Sequence, residues 1–281
     1  MIRLVLTDLD NTLVNTPVSP RLTPFARHAI HRLQKAGVRF GPATGRMPWM
    51  LDPIFGDEHD LWATSVQGNG QVGYLDGEKV FEHEVDWRTL RRLGEFLKDK
   101  PGAVLYAIDE TDTLAVGGLT QEELNGQYDI AFRGPVVVDE VPERRWVKAN
   151  VHCFRAPGAP DFQQLRVQME ALCPDLDFVS PTPEPILWDI TNKGRSKASG
   201  IRELLGVMGL EEDEVAVFGD SDNDIEMLAA FPYSVAVANA KPGVLEAANY
   251  AVGSVEEDGA ARAFLEIAEA SARGALPAFL M

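Results

Sequence analysis

Cysteine is almost absent: Cys153 and Cys173 are the only two in 281 residues. They lie far apart and fit no metal-binding spacing, which excludes a cysteine-based metal module and a disulfide scaffold. The pair is read as free structural thiols of a reducing compartment, although one disulfide is arithmetically possible. Basic residues are also in deficit, 26 Lys and Arg against 43 Asp and Glu, for a formal charge of -17. Such a field repels phosphate backbones at long range and argues against nonspecific nucleic-acid binding. It also disfavours a free anionic substrate, so a phosphate site here needs local neutralisation by metal, lysine and backbone amides. No apolar stretch approaches the roughly 20 residues of a membrane span. The first strand begins within the first few residues, which leaves no room for a leader peptide. Repeats and low-complexity linkers are missing as well. The expected setting is the cytoplasm, without membrane or nucleic-acid partners, as a monomer or weak homodimer.

What is present is enough apolar material for a large core, 45% of residues, in one large domain or two smaller ones. Arg3 to Thr7 reads as a buried strand. Thr23 then caps a helix with Pro24 in its first turn and Ala26, Ala29, Ile30 and Leu33 on one face, ending near Gly37. Val38 to Ala43 and Leu61 to Val66 read as the next strands, followed by Thr44-Gly45-Arg46 and Gln67-Gly68-Asn69-Gly70 respectively. Beyond them the rhythm changes. Val72 to Leu75 and Lys79 to Phe81 flank the turn Asp76-Gly77-Glu78, a hairpin signal. Helices are expected at Trp87 to Leu97 and Phe162 to Leu172, a hairpin at Val104 to Ile108 and Thr113 to Val116, and a strand at Trp146 to Phe154. Pro157, Pro160, Pro181, Pro183 and Pro185 mark loops and a return crossing.

From Ile186 the α/β rhythm resumes, with a helix capped by Ser196, an apolar strand ending at Gly219, a helix from Asp224 through Leu228, strands at Ser234 to Ala238 and Tyr250 to Val252, and a closing helix from Ala261 to Ala270. The fold class is α/β: a Rossmann-like, mostly parallel sheet with helices on both faces, formed by 1-81 and 186-281. Residues 82-185 form an inserted α+β domain able to sit over the strand ends.

The chemistry gathers where apolar runs end in acids. Asp8 and Asp10 follow Val5-Leu6, and Gly219-Asp220-Ser221-Asp222-Asn223-Asp224 follows Val215 to Phe218. Two acidic strand ends in one open sheet can meet at its carboxyl edge and hold a hard cation such as magnesium. If Leu9 keeps strand geometry, Asp8 and Asp10 share a face, and one carboxylate attacks phosphorus while the other moves a proton. Asp10 alternatively turns off the strand, leaving only its carbonyl near a metal. The plain reading of the pair is a set of loop acids at a sheet end, with Asn11 and Thr12 closing the turn. Thr44 and the following amides suit phosphate oxygens, although a threonine at a strand end is usually only a cap. Arg46 either forks phosphate or pairs with an acid. Lys197, at a helix start, is favoured over Lys193 to hold the Asp8 carboxylate. Asp220 is the direct metal ligand and Asp224 its support, with Asp222 facing solvent. An EF-hand is excluded, since the required glycine and distal glutamate are missing.

Taken together, these segments resemble the haloacid dehalogenase-like hydrolases, specifically the Cof-type subfamily with a class IIB cap. The resemblance rests on Asp8-Leu9-Asp10-Asn11-Thr12-Leu13, Ala43-Thr44-Gly45-Arg46, Lys197 and Gly219 to Asp224, with further likeness in Gly68-Asn69-Gly70, Asn239-Ala240 and Glu257-Asp258-Gly259. Asn11 stands where the family commonly has glycine, and asparagine tolerates the left-handed turn this requires. The resemblance implies a magnesium-dependent phosphatase of a small phosphorylated metabolite, a sugar phosphate or phosphorylated acid. It makes Asp8 the nucleophile and Asp10 the acid/base. The ion would bind the Asp8 carboxylate, the Asp10 carbonyl and Asp220, supported by Asp224, with Thr44 and Lys197 on the phosphoryl oxygens. Gly45, Arg46 and Asn69 are further candidate contacts in the core. In the cap Lys148 leads a group with Arg133, Arg144, Arg145 and His152, for each of which a solvated surface is the ordinary alternative. A phosphomutase with the same intermediate and a non-enzymatic receiver-like module that accepts phosphate are the competing readings. The presence of Asp10 and of the insertion weighs against the second.

Overall fold

The apolar runs that end in aspartate lie side by side. Leu4–Thr7 and Val215–Gly219 are adjacent parallel strands, with Leu4 opposite Val215 and Thr7 opposite Phe218. In the computed structural model, which describes residues 1–126, 134–180 and 186–281, they belong to a five-stranded sheet. Its order is Tyr250–Val252, Tyr233–Val237, Val215–Gly219, Leu4–Thr7, Arg39–Pro42, every pair parallel. Leu4, Val5, Leu6 and the run Val215 to Phe218 are wholly buried, as expected of parallel strands covered on both faces. Chain order reverses at the Leu4–Thr7 strand: the next strand lies on one side of it, the later ones on the other. Loops that follow strands at such a switch point splay apart and leave a crevice at the carboxyl edge.

The helices form as their end signals dictate. Thr23 Oγ1 accepts the Ala26 N–H at 3.0 Å to cap Pro24–Lys35, whose face Ala26, Ala29, Ile30 and Leu33 is buried. This helix packs against Gly259–Ser271, while Lys197–Met208, Ile225–Ala230 and Pro242–Ala247 pack as a second set. Together with the sheet these elements make one unit, Met1–Phe81 and Ser196–Met281. The expected strand over Leu61 to Val66 needs correction. Residues His59–Leu61 form a single 3₁₀ turn, and the strand is Ser65–Gln67. It meets the main sheet by one parallel bridge, Ala43 with Val66, and otherwise pairs antiparallel with Val72–Leu75. The hairpin to Glu78–Glu82 turns through Asp76 and Gly77, at φ 50° and 88°, as a two-residue hairpin loop of the favoured hand requires.

The second unit is Glu82–Arg195. Its six-stranded sheet runs Leu176–Val179, Leu187–Asn192, Lys148–Cys153, Ala103–Ile108, Thr113–Gly117, Val136–Val137, antiparallel except for the last pair. Trp87–Leu97 and Phe162–Leu172 cover one face through Leu90, Leu93, Leu97, Leu165 and Met169. Everything from Ile186 on is expected in the core, and Leu187–Asn192 falls in that stretch. It instead pairs antiparallel with strands on both sides of it, so this unit continues ten residues past 185. The expectations at Arg133, Pro181, Pro183 and Pro185 lie outside the described residues. Cys153 and Cys173 are both free. Among the described residues no helix is long and apolar enough to cross a membrane.

Two glycines fix how the Lys197–Met208 helix meets the loop 68–70. A Cβ on Gly70 would stand 2.0 Å from the Ser196 carbonyl oxygen, and one on Gly200 would stand 2.7 Å from Gly70 Cα and from Val66 Cγ1. Gly206 on the same helix has open space around it. The same substitution should therefore act with opposite sign at the two positions. Gly200→Ala is expected to destabilise the fold by ~1–3 kcal/mol through overpacking. Gly206→Ala should stabilise it by up to ~1 kcal/mol through helix propensity. Urea unfolding of the two variants checks the pair.

Candidate active site

The last residue of the first strand, Thr7, is followed directly by Asp8, whose N–H still donates to Phe218 O at 2.9 Å, so the strand ladder itself sets this aspartate in place. On the neighbouring strand Gly219 is followed by Asp220. Ser196 caps the Lys197–Met208 helix through the Ser199 N–H, which puts Lys197 at its first position with a fully buried side chain. The Lys197 ammonium donates to Asp8 Oδ1 at 2.6 Å and to Asp224 Oδ1 at 2.7 Å. Asp224 in turn accepts the N–H groups of Asp220 and Ser221 on Oδ2, each at 3.0 Å, and so closes the loop after the strand. Thr12 Oγ1 donates to Asp220 Oδ1 at 2.6 Å, and Ser221 Oγ to Oδ2 at 3.0 Å.

Asp8, Asp220 and Asp224 are buried, and one carboxylate oxygen from each lies within 4.8 Å of the others. Against the single ammonium of Lys197 they leave two negative charges uncompensated. Burial and the neighbouring Asp224 and Asp220 push the Asp8 carboxyl well above the usual range, although Lys197 pulls it down. Burial, with Asp224 beside it, pushes Asp220 up to about 6. Burial would lower Lys197, but Asp224 and Asp8 more than offset it and its pKa is raised. A hard, all-oxygen donor set with this residual charge fits a divalent cation.

The Asp10 side chain lies outside this cluster; the family resemblance gives the ion only its backbone carbonyl. The chain after Asp8 coils on itself: the N–H groups of Thr12, Leu13 and Val14 all donate to Leu9 O, and Asn11 takes φ 61°. Asparagine thus adopts the left-handed turn expected where the family has glycine. Asp10 leaves the strand and meets Arg46, which forks it through Nε to Oδ2 at 2.8 Å and Nη2 to Oδ1 at 2.7 Å, while Thr16 Oγ1 donates to Oδ1 at 2.6 Å. Burial would raise the Asp10 carboxyl, but the Arg46 fork and Thr16 outweigh it and hold it below the usual carboxylate range. Of the two options for Arg46, the structure records pairing with an acid.

Thr44 is buried, its N–H given to Val66 O at 2.8 Å and its carbonyl accepting Asn69 N–H at 3.0 Å. Its hydroxyl accepts the Arg46 N–H at 3.2 Å, which leaves the O–H proton to donate elsewhere. Asn69 sits at φ 55° between Gly68 and Gly70 and accepts Asn223 Nδ2 at 3.3 Å. Gly45 lies between Thr44 and Arg46 in the same turn. Asn239 donates to Asn11 O and accepts the Val255 N–H, both at 2.8 Å, and braces the turn after Asp10. Asp222, expected to face solvent, is half-exposed and pairs with Lys241. Lys193 is exposed and pairs with Asp177.

In the second unit Lys148 is buried and donates to Asp189 Oδ1 at 3.0 Å, an oxygen that Asn150 Nδ2 also approaches. Arg144 pairs with Asp112 and Asp109 and lies over the Trp146 ring. Arg145 pairs with Glu82 and Glu84, and His152 stands beside Phe154 and Tyr106. Sequence reasoning treated Thr12 only as a turn residue and missed Thr16 and Ser221. A lone hydroxyl in a polar loop carries no signal until its partner is placed.

The model of the haloacid dehalogenase-like hydrolases matches residues 5–264, and the chain belongs to that family. It is 25% identical over 299 residues to the putative phosphatase YxeH of Bacillus subtilis, across 95% of this chain and 98% of that one. The 5-amino-6-(5-phospho-D-ribitylamino)uracil phosphatase YbjI of Escherichia coli is 25% identical over 276 residues, 92% of this chain and 93% of that one. The solved structure of the subclass IIB sugar phosphatase BT4131 shares the fold at TM-score 0.78 and 21% identity, across 93% of this chain and 97% of that one.

The raised Asp220 carboxyl has a consequence for stability. A carboxyl whose pKa is higher folded than unfolded contributes stability at low pH, and that contribution is lost as pH rises from 3.8 through about 6. With a chelator present, wild-type stability relative to Asp220→Asn should fall by up to about 3 kcal/mol between about pH 4 and 7. A divalent cation should abolish the fall. Thermal or urea unfolding across that range measures it.

Proposed function

We propose that this hydrolase cleaves the phosphate monoester of a small metabolite, a sugar phosphate or a phosphorylated acid, through an aspartyl-phosphate on Asp8. The observation that carries the reading is the contrast between two aspartates two residues apart. Asp8 is buried and fixed by Lys197, whereas Asp10 stands outside the cluster, more exposed and held by Arg46 and Thr16. That contrast supports assigning attack to the first and proton transfer to the second. The relatives named as phosphatases support the same chemistry, and BT4131 supports a sugar phosphate.

Asp8 presents the oxygen that bonds to phosphorus. Lys197 uses two of its three N–H donors on Asp8 and Asp224, so the third remains to meet a phosphoryl oxygen. Thr44 Oγ1 donates to another, its direction set by the Arg46 N–H it accepts, and Asn69 holds the Thr44 turn in place. Asp10 protonates the leaving alcohol and then takes a proton from the attacking water. In the free protein it is a carboxylate, and an entering phosphate brings like charge that raises its pKa again. Asp8, Asp220 and Asp224 would hold a magnesium ion, joined by the Asp10 carbonyl as the family resemblance implies. When bound, the ion supplies the positive charge that lets an anionic ester approach an anionic nucleophile. The second unit, Glu82–Arg195, is assigned recognition of the organic moiety, with Lys148 its candidate contact.

A panel of phosphate esters assayed with magnesium should give release of inorganic phosphate. Asp8→Asn is expected to lower turnover by at least ~10³-fold, and chelation should stop the wild-type reaction until magnesium is returned. Near-normal turnover by Asp8→Asn would remove the nucleophile from the scheme. An isomeric sugar phosphate without net release would mark a mutase instead.

A further inference from the structure

The Asp10 carboxylate is held at three acceptor positions. Thr16 Oγ1 and Arg46 Nη2 both donate to Oδ1, at 2.6 and 2.7 Å, and Arg46 Nε donates to Oδ2 at 2.8 Å. An ionised carboxylate offers about four acceptor directions, two on each oxygen. Among the described residues Oδ1 is therefore filled and Oδ2 has one direction left. The group is still reachable, because the Asp10 side chain is 37% exposed while that of Asp8 is 9% exposed. The clamp is itself anchored. Thr16 N–H donates to Val14 O at 2.9 Å within the turn built on Leu9, and Arg46 Nη1 donates to Met50 O at 3.4 Å.

We infer that Thr16 and Arg46 are positioning residues that select Oδ2 as the proton-transferring atom of Asp10 and fix the direction in which it is offered. The inference rests on the aspartyl-phosphate reading above. In the first half-reaction an Asp8 oxygen bonds to phosphorus as the ester P–O bond breaks. The proton on Oδ2 passes to the departing oxygen, which leaves as the neutral alcohol. In the second, water bonds to phosphorus as the bond to Asp8 breaks, and one water proton passes to Oδ2. Phosphate departs and both aspartates return to their starting forms. Without the clamp the carboxyl rotates about Cβ–Cγ and spreads its donor over several orientations, which costs rate only where a proton is needed.

Two aryl esters of similar size isolate that need. Phenyl phosphate releases a phenolate as basic as that of tyrosine, with pKa about 10, whereas p-nitrophenyl phosphate releases a far weaker base that departs without help. The readout is kcat/KM, which covers steps up to the first P–O cleavage. Thr16→Val is expected to lower it roughly fivefold more for phenyl than for p-nitrophenyl phosphate. Arg46→Lys, which keeps the charge but loses the fork, should repeat that bias, and Thr16→Ser should restore the wild-type ratio. Added to Asp10→Asn, Thr16→Val should change the ratio no further. Equal losses on both esters, or an additive loss in the double variant, would overturn the inference. If Thr16→Val does not fold, the Arg46→Lys ratio decides alone. Asp8→Asn separates the two levels: turnover there sinks the aspartyl-phosphate reading, whereas an inert Asp8→Asn with unbiased clamp variants sinks only the positioning role.

Discussion

The rest of the site depends on one buried ammonium. Lys197 lies between the carboxylates of Asp8 and Asp224, all three side chains nearly or wholly out of water. Desolvating such charges costs several kcal/mol per ion and is tolerated only with close, well-directed partners. That requirement ties three distant parts of the chain together: the end of the first strand, the start of the helix after Ser196, and the loop after Val215–Gly219. Asp224 spends its second oxygen on the Asp220 and Ser221 amides, so the same interaction that neutralises part of the charge also shapes the loop that presents Asp220.

The surrounding packing serves that placement. Parallel pairing of Leu4–Thr7 with Val215–Gly219 brings the two acidic strand ends to one edge, and the reversal of chain order there keeps the following loops apart. The contact between loop 68–70 and the Lys197–Met208 helix leaves no room for side chains at Gly70 and Gly200. It sets the height of the helix start and therefore of the ammonium. The three-to-one imbalance of charge is then a standing strain that a divalent cation relieves. A site built this way gives up stability in the free state and recovers it when the cation binds.

Much of this was legible in the sequence, for definable reasons. A short apolar run ending in acids specifies both a buried strand and a polar strand end, so Asp8 and Asp220 stand out together. Ser196 as a cap places Lys197 on the first turn and separates it from Lys193, which is exposed and pairs with Asp177. What was not legible depends on pairings distant in sequence. Leu187–Asn192 has the composition of a core strand, and only its antiparallel partners assign it to the other sheet. Leu61 is as apolar as a strand residue but lies in a 3₁₀ turn. Arg46 had many acids available, and its choice of Asp10 follows from the coil at Leu9, which a one-residue spacing does not reveal.

The central claim is a covalent bond between Asp8 and phosphorus, and reductive trapping tests it most directly. Borohydride reduces an acyl phosphate to an alcohol and leaves a carboxylate untouched. Protein quenched during turnover, reduced and digested should show Asp8 converted to homoserine in the peptide that spans it, with Asp10, Asp220 and Asp224 unchanged. Conversion at another aspartate, or phosphate release with no reducible adduct at any time point, would contradict the account.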